Sequence, residues 1–202
     1  MTHERTAVGQ TRRGILAAST VAFAGCGIVP EESDPIEASA STPATLPDDA
    51  GYTEIESGET TIETTIRADL SGDVELNTSR EVIATVFRQV YEADDGRRFG
   101  LVTAPAVQVI ESPEVIRDPV GSLDNSRVVE LATGHSVESV GSTAEGESVT
   151  LLGTDATLTT ATATTGDGDV SAAWTRVRAG EDSVTAVATG GSGPFDAVTR
   201  DA

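Results

Sequence analysis

The stretch REVIATVFRQVYEADDGRRFGLVT, residues 80–103, decides the fold. In its first half Val82, Ala84, Val86 and Val90 share one parity, and Ile83, Thr85, Phe87 and Tyr91 share the other. A period of two belongs to a strand, and apolar side chains on both faces belong to a central strand covered on both sides. Asp94-Asp95-Gly96 is a hairpin turn. The segment Arg98–Thr103 pairs back, with Phe99 and Leu101 alternating against Arg98, Gly100 and Val102.

Working outward, Tyr52–Ser57 and Thr60–Leu70 are strand-like on the N-terminal side, with Ser57-Gly58-Glu59 a turn between them. On the C-terminal side Ala104-Pro105 breaks the strand, and Val107, Val109 and Ile110 form a further short one. Residues 112–121 carry Pro113, Pro119 and Gly121 and form a loop. Ser122 or Asp124 caps a helix over Leu123–Thr133, whose buried stripe is Val128, Leu131 and Ala132, and Gly134 ends it. Four strands follow: Ser136–Gly141, Ser148–Leu152, Thr157–Thr164 and Val170–Val177, the last carrying Trp174. Ser183–Thr189 is the final strand, Gly190–Pro194 breaks it, and Phe195–Arg200 makes one helical turn packing Phe195 and Val198. The expected fold is α+β, a mainly antiparallel β-sheet packed with one main helix and a short C-terminal helix.

Composition restricts what such a domain meets. Hydrophobic residues make up 38% and aromatics 3%, enough for one modest core and not two. The 13 basic residues, all arginine, face 33 acids. That charge repels nucleic acid and anionic headgroups. Self-repulsion is relieved by salt, because the Debye length falls to roughly 3 Å at 1 M. The acidic, lysine-free surface is therefore expected to be an adaptation to brine.

The first residues supply an address. Thr11-Arg12-Arg13-Gly14 precedes an apolar stretch, and Phe23-Ala24-Gly25-Cys26 follows. Small residues before a cleavage site fit a narrow peptidase pocket, and the cysteine is the lipid acceptor. The apolar run from Ile15 to Val29 is 15 residues; a spanning helix needs roughly 20. The expected organisation is a signal peptide at 1–25, a disordered acidic Pro/Ser tether at 26–47 and one α+β domain at 48–202. Removing the signal takes away Glu4 and three arginines, leaving 10 basic against 32 acidic residues, a net charge of -22. The tether spans roughly 25 Å root-mean-square as a flexible chain.

The arginine pair Arg12-Arg13 and the triplet Ala24-Gly25-Cys26 resemble twin-arginine lipoprotein signals. The layout as a whole resembles haloarchaeal lipoproteins of unknown function exported by that route. The stretches carrying the likeness are Leu46-Pro47 to Gly51-Tyr52, Leu101–Pro105 with Val107 and Val109, Asp118–Gly121 leading into the helix, and Val187–Gly191. More distantly the fold resembles the PsbP-like sheet-and-helix proteins, a likeness of architecture only. The resemblance implies passage through the twin-arginine translocase, folding before export, a lipid anchor on Cys26 and a place on the outer face of the cell membrane. It supplies no catalytic residues.

Chemistry in the chain is sparse. After processing, His135 is the remaining histidine and is expected to cap helix carbonyls rather than hold zinc. Asp167-Gly168-Asp169 has too few ligands for calcium and fits a hairpin tip. Arg97-Arg98 balances Asp94 and Asp95. Gly190-Gly191-Ser192-Gly193 lacks the Gly-x-Ser-x-Gly pattern and fits a flexible break. No metal, cofactor or catalytic residue is assigned. The leading expectation is a monomeric, non-enzymatic surface lipoprotein that binds an envelope partner through an apolar groove beside Trp174 or Tyr52. The alternative is an enzyme accessory or carboxylate-dependent hydrolase on the cell surface. A two-lobed solute-capture protein needs more than the roughly 155 residues after the tether.

Overall fold

The computed structural model describes residues 34–70, 76–109 and 116–201. The elements are β1 Ile36–Ser39, β2 Ala44–Thr45, β3 Thr53–Leu70, β4 Leu76–Glu92, β5 Arg98–Pro105, β6 Val107–Gln108, β7 Ile116–Arg117, α1 Asn125–Thr133, β8 Val137–Val140, β9 Ala144–Leu151, β10 Thr154–Thr165, β11 Gly168–Ala179, β12 Asp182–Thr189 and β13 Thr199–Arg200. Nine strands form one sheet with the path β3-β4-β5-β12-β11-β10. The first strand, β1, pairs parallel to β4 where β5 has ended. On the far side, β9 and β8 share the outer edge of β10. Among the described residues the fold is thus mainly β, with one α-helix.

The centre is β5 and β12, where all but Arg98 are buried. Cover on both faces buries their apolar residues together with the polar Thr103, Asp182, Ser183, Thr185 and Thr189. On one face α1 packs over Val86, Val102 and Val187, with Trp174 in the same core. On the other lie Phe99, Leu101, Val184 and Ala186, covered by Leu151 and Leu158 of the β9–β10 hairpin and by Phe195. Phe195 meets Phe99 edge-on, ring centroids 5.3 Å apart. Two hydrogen bonds dock β2 onto this face: Ala44 N–H donates to Thr103 Oγ1 at 2.9 Å, and Leu46 N–H to Tyr91 Oη at 3.1 Å. Burial raises the Tyr91 phenol above its ordinary pKa, against the lowering effect of that Leu46 N–H.

Several expectations are corrected. Ser57-Gly58-Glu59 is the interior of a strand: β4 is continuous and offers Gln89, Arg88 and Phe87 as cross-strand partners, so pairing overrides local turn preference. The ordered part begins inside the stretch assigned to the tether. Ile36–Ser39 pairs with Val82–Thr85, and Ala44 and Leu46 are buried. The remainder of the assigned tether up to Ser33 lies outside the described residues. The C-terminal helix is a single 3-10 turn, Phe195–Ala197, followed by β13, which pairs with β2. Three residues cannot repay helix nucleation, and Arg200 is drawn into contacts of its own. Pro105 ends β5 instead of breaking it earlier, and residues 112–121 include β7. On β4 Val82, Ala84, Val86 and Val90 are buried on one face, whereas Ile83 and Phe87 on the other are only half-buried. The helix starts later than expected, with Asp124 as its cap: Asp124 Oδ1 accepts from Arg127 N–H at 2.9 Å.

Candidate functional site

Beside α1 the sheet is not fully covered. An irregularity between Glu54 and Glu56 sets Glu54 opposite Tyr91, and the register Glu56↔Val90, Gly58↔Arg88 and Thr60↔Val86 puts Glu56, Gly58 and Thr60 of β3 on the helix-facing side. Between them and the C-terminal end of α1 runs an open groove of about 490 Å³, lined among others by Glu56, Gly58, Arg88, Arg127, Glu130 and His135.

The helix end that walls this groove is held by arginines. Gly134 takes the left-handed conformation, φ 68°, and its N–H donates to Glu130 O at 2.9 Å. Arg88 Nε donates to Leu131 O and its Nη1 to Glu56 Oε1. Arg98 Nη1 donates to Thr133 O at 3.1 Å, while its Nε pairs with Glu92 at 3.0 Å. Two guanidinium groups therefore satisfy the orphan carbonyls and oppose the negative end of the helix dipole. This is the role expected of His135, which instead stands beyond the cap, half-buried on the groove wall. Burial, then the charge of Arg98, push the His135 imidazole below its ordinary pKa; Asp167 and Glu92 act the other way. The lowering favours the neutral, hydrogen-bonding form of the ring over the cation. An NMR titration is expected to find the His135 midpoint below the free-imidazole value, and Arg98→Gln, by removing a positive neighbour, to move it upward. A midpoint unmoved in the Arg98 variant would contradict this account.

At the rim Arg127 and Glu130 pair at 3.3 Å, three residues apart on α1. Glu56 and Glu130 line the opening and keep their carboxylates half-exposed. The wall is thus rich in acceptors, with its two nearest arginines already engaged.

The residues singled out in the sequence fall elsewhere. Arg12, Arg13, Ala24, Gly25 and Cys26 lie outside the described residues. Trp174 is buried in the helix-side core, and Tyr52 leans on Phe99 with Arg97 5.9 Å from its ring centroid. The groove is polar and lined by neither. Arg97 pairs with Asp95 at 2.7 Å, and its hydrogen bonds hold the Asp95 carboxyl below the ordinary range. Arg98 turns to Glu92 and the helix end instead of the turn acids. Asp167-Gly168-Asp169 forms a hairpin tip, with Thr165 opposite Gly168. The segment Gly190–Gly193 leaves β12, with Gly193 against the Phe99 ring. Among the described residues no cluster of three His, Cys, Asp or Glu is placed to hold a metal ion, and no helix is long and apolar enough to cross a membrane.

Arg88 and Glu56 were not singled out in the sequence and Gly58 was read as a turn residue, though one signal was present. Arg88 has the parity of Val82, Ala84, Val86 and Val90, so a charge interrupts an apolar face.

A family model described as Domain of unknown function (DUF6517) matches residues 39–201. No curated protein and no solved structure matches the chain.

Proposed function

The chain belongs to the family Domain of unknown function (DUF6517), and from that premise we propose that it is a twin-arginine-exported lipoprotein. It is cut before Cys26 and held on the outer face of the cell membrane by lipid on that cysteine. Its domain is a non-catalytic binding module whose contact surface is the groove between β3 and α1. The observation that carries the address is the lone cysteine directly after Ala24-Gly25, at the end of an apolar stretch led by Arg12-Arg13. The net charge of -20 and the absence of lysine support work in brine, as does the likeness to haloarchaeal lipoproteins. The groove supports the binding role because its charged walls are pre-paired, Arg88 with Glu56 and Arg127 with Glu130, so that little has to be reordered when an occupant enters.

Cys26→Ser is expected to release the protein into the medium or leave it unprocessed. Membrane fractionation with intact-mass measurement checks this. Equal membrane retention of the serine variant, or a native mass showing Met1 and an unmodified thiol, removes the lipid anchor from the proposal.

A further inference from the structure

We propose that the groove takes an extended peptide segment that adds as a strand to the free edge of β3 and sends one arginine or lysine side chain over Gly58, between Glu56 and Glu130. The inference rests on the groove being the binding surface and names its occupant. Among the described residues β3 pairs along one side only, with β4. Thr53–Glu59 is exposed on both faces, so its outward N–H and C=O groups stand open to a further strand.

Gly58 is the observation that selects the side chain. Glycine weakens a strand interior and calls for a reason. At Gly100, Gly146 and Gly193 neighbouring atoms leave no room for a Cβ; at Gly58 nothing lies within 4 Å, and the backbone has no positive φ to accommodate. The missing side chain therefore serves no contact within the domain. It leaves a gap in the β3 rim, through which a long side chain from an added strand reaches the groove.

Charge selects what that side chain carries. Around the gap Glu56, Glu59 and Glu130 outnumber Arg88 and Arg127, which pair with Glu56 and Glu130 and leave both carboxylates half-exposed beside His135. Glu54, Glu59 and Glu63 stand along the same strand, and Ile55 is 49% exposed beside them. A basic residue flanked by β-branched ones matches these features. An acidic chain meets like charge here, which disfavours a second copy of this protein.

The test is selection of random octapeptides on the full-length, unlipidated chain, with Gly58→Val in parallel. Valine suits a strand and meets no atom at its Cβ, so circular dichroism and thermal midpoint should match the parent. Enrichment of arginine or lysine at one position is expected, with affinity falling at least about tenfold on Gly58→Val. The best peptide is then remade with alternate amides N-methylated, in each of the two phases, and tested on the unaltered chain. One phase should abolish binding and the other spare it. Peptides that depend on Gly58 but tolerate both methylation patterns, or carry no basic residue, overturn strand addition and leave the groove as a binding surface. No selected peptide, or peptides indifferent to Gly58→Val, overturn both.

Discussion

Gly100→Ala is expected to remove about 3 kcal/mol of unfolding free energy, near the upper end for overpacking a core. The cause is the closeness of α1 to β5. A Cβ built at Gly100 falls 2.0 Å from Ala132 O and 2.4 Å from Ala132 C. Both are backbone atoms of a helix, so no side-chain rotation relieves the clash. Either α1 lifts off Val86, Val102 and Val187, or β5 moves away from β4 and β12. A domain of this size has about 5–15 kcal/mol in total, so the loss is a large share of it. Chemical denaturation of Gly100→Ala beside Gly58→Ala measures the effect. The second variant adds the same methyl group where nothing stands within 4 Å, and should stay within about 0.5 kcal/mol of the parent. Equal stability of the two variants would mean that α1 is not seated as described.

The same seat governs the groove. The carbonyls that Arg88 and Arg98 cap belong to Leu131 and Thr133, either side of Ala132. A helix lifted by a methyl at residue 100 breaks those bonds and withdraws Glu130 and His135 from their wall. Gly100→Ala should therefore weaken peptide binding as well, although residue 100 does not line the opening. Gly58→Val acts in the opposite way, leaving stability intact and filling the space.

Much of the sheet was legible because its strands alternate. Ile62, Thr64 and Ile66 against Glu63, Thr65 and Arg67 is a pattern that only a half-covered strand needs, and the covered pair Ile62 and Ile66 is buried. The helix was legible from Asp124, from the spacing of Val128, Leu131 and Ala132, and from Gly134. What failed did so where pairing partners are distant in sequence. Ser57-Gly58-Glu59 looks like a turn until β4 is laid beside it. Ile36–Ser39 has the composition of a linker, and it becomes a strand because β5 ends at Pro105 and leaves the edge of β4 open. The groove was harder still. Glu56 and Arg88 lie on two strands and His135 just beyond α1, and nothing in their local sequence announces that one helix end brings them together.

A second large effect is expected at the opposite end of β12. Asp182 is 2% exposed, and its Oδ2 accepts from Ser41 N–H at 3.1 Å, from Ser41 Oγ at 2.6 Å and from Arg200. Arg200 in turn donates through Nε to Thr42 O at 2.9 Å and through Nη1 to Ala179 O at 2.6 Å. One guanidinium thus ties the segment before β2, the end of β11 and the start of β12 to the last described strand. Removing a single partner of a buried ion pair costs about 3–5 kcal/mol, because the remaining charge stays in a poorly solvating place. Arg200→Ala is expected to fall in that range, and Asp182→Asn to cost less, since Arg200 keeps its carbonyl acceptors. Lysine does not substitute: a single ammonium cannot reproduce donors spread along a planar group, so Arg200→Lys should recover only a small part of the loss. Denaturation of the three variants supplies the energies. Hydrogen exchange locates them, with the amides of Ala44 and Leu46, which bond to Thr103 and Tyr91, losing protection first. If Arg200→Ala left both stability and those amides unchanged, the join between the two ends of the domain would rest on the β2–β13 pairing and the apolar contacts of Leu46, Phe195 and Val198.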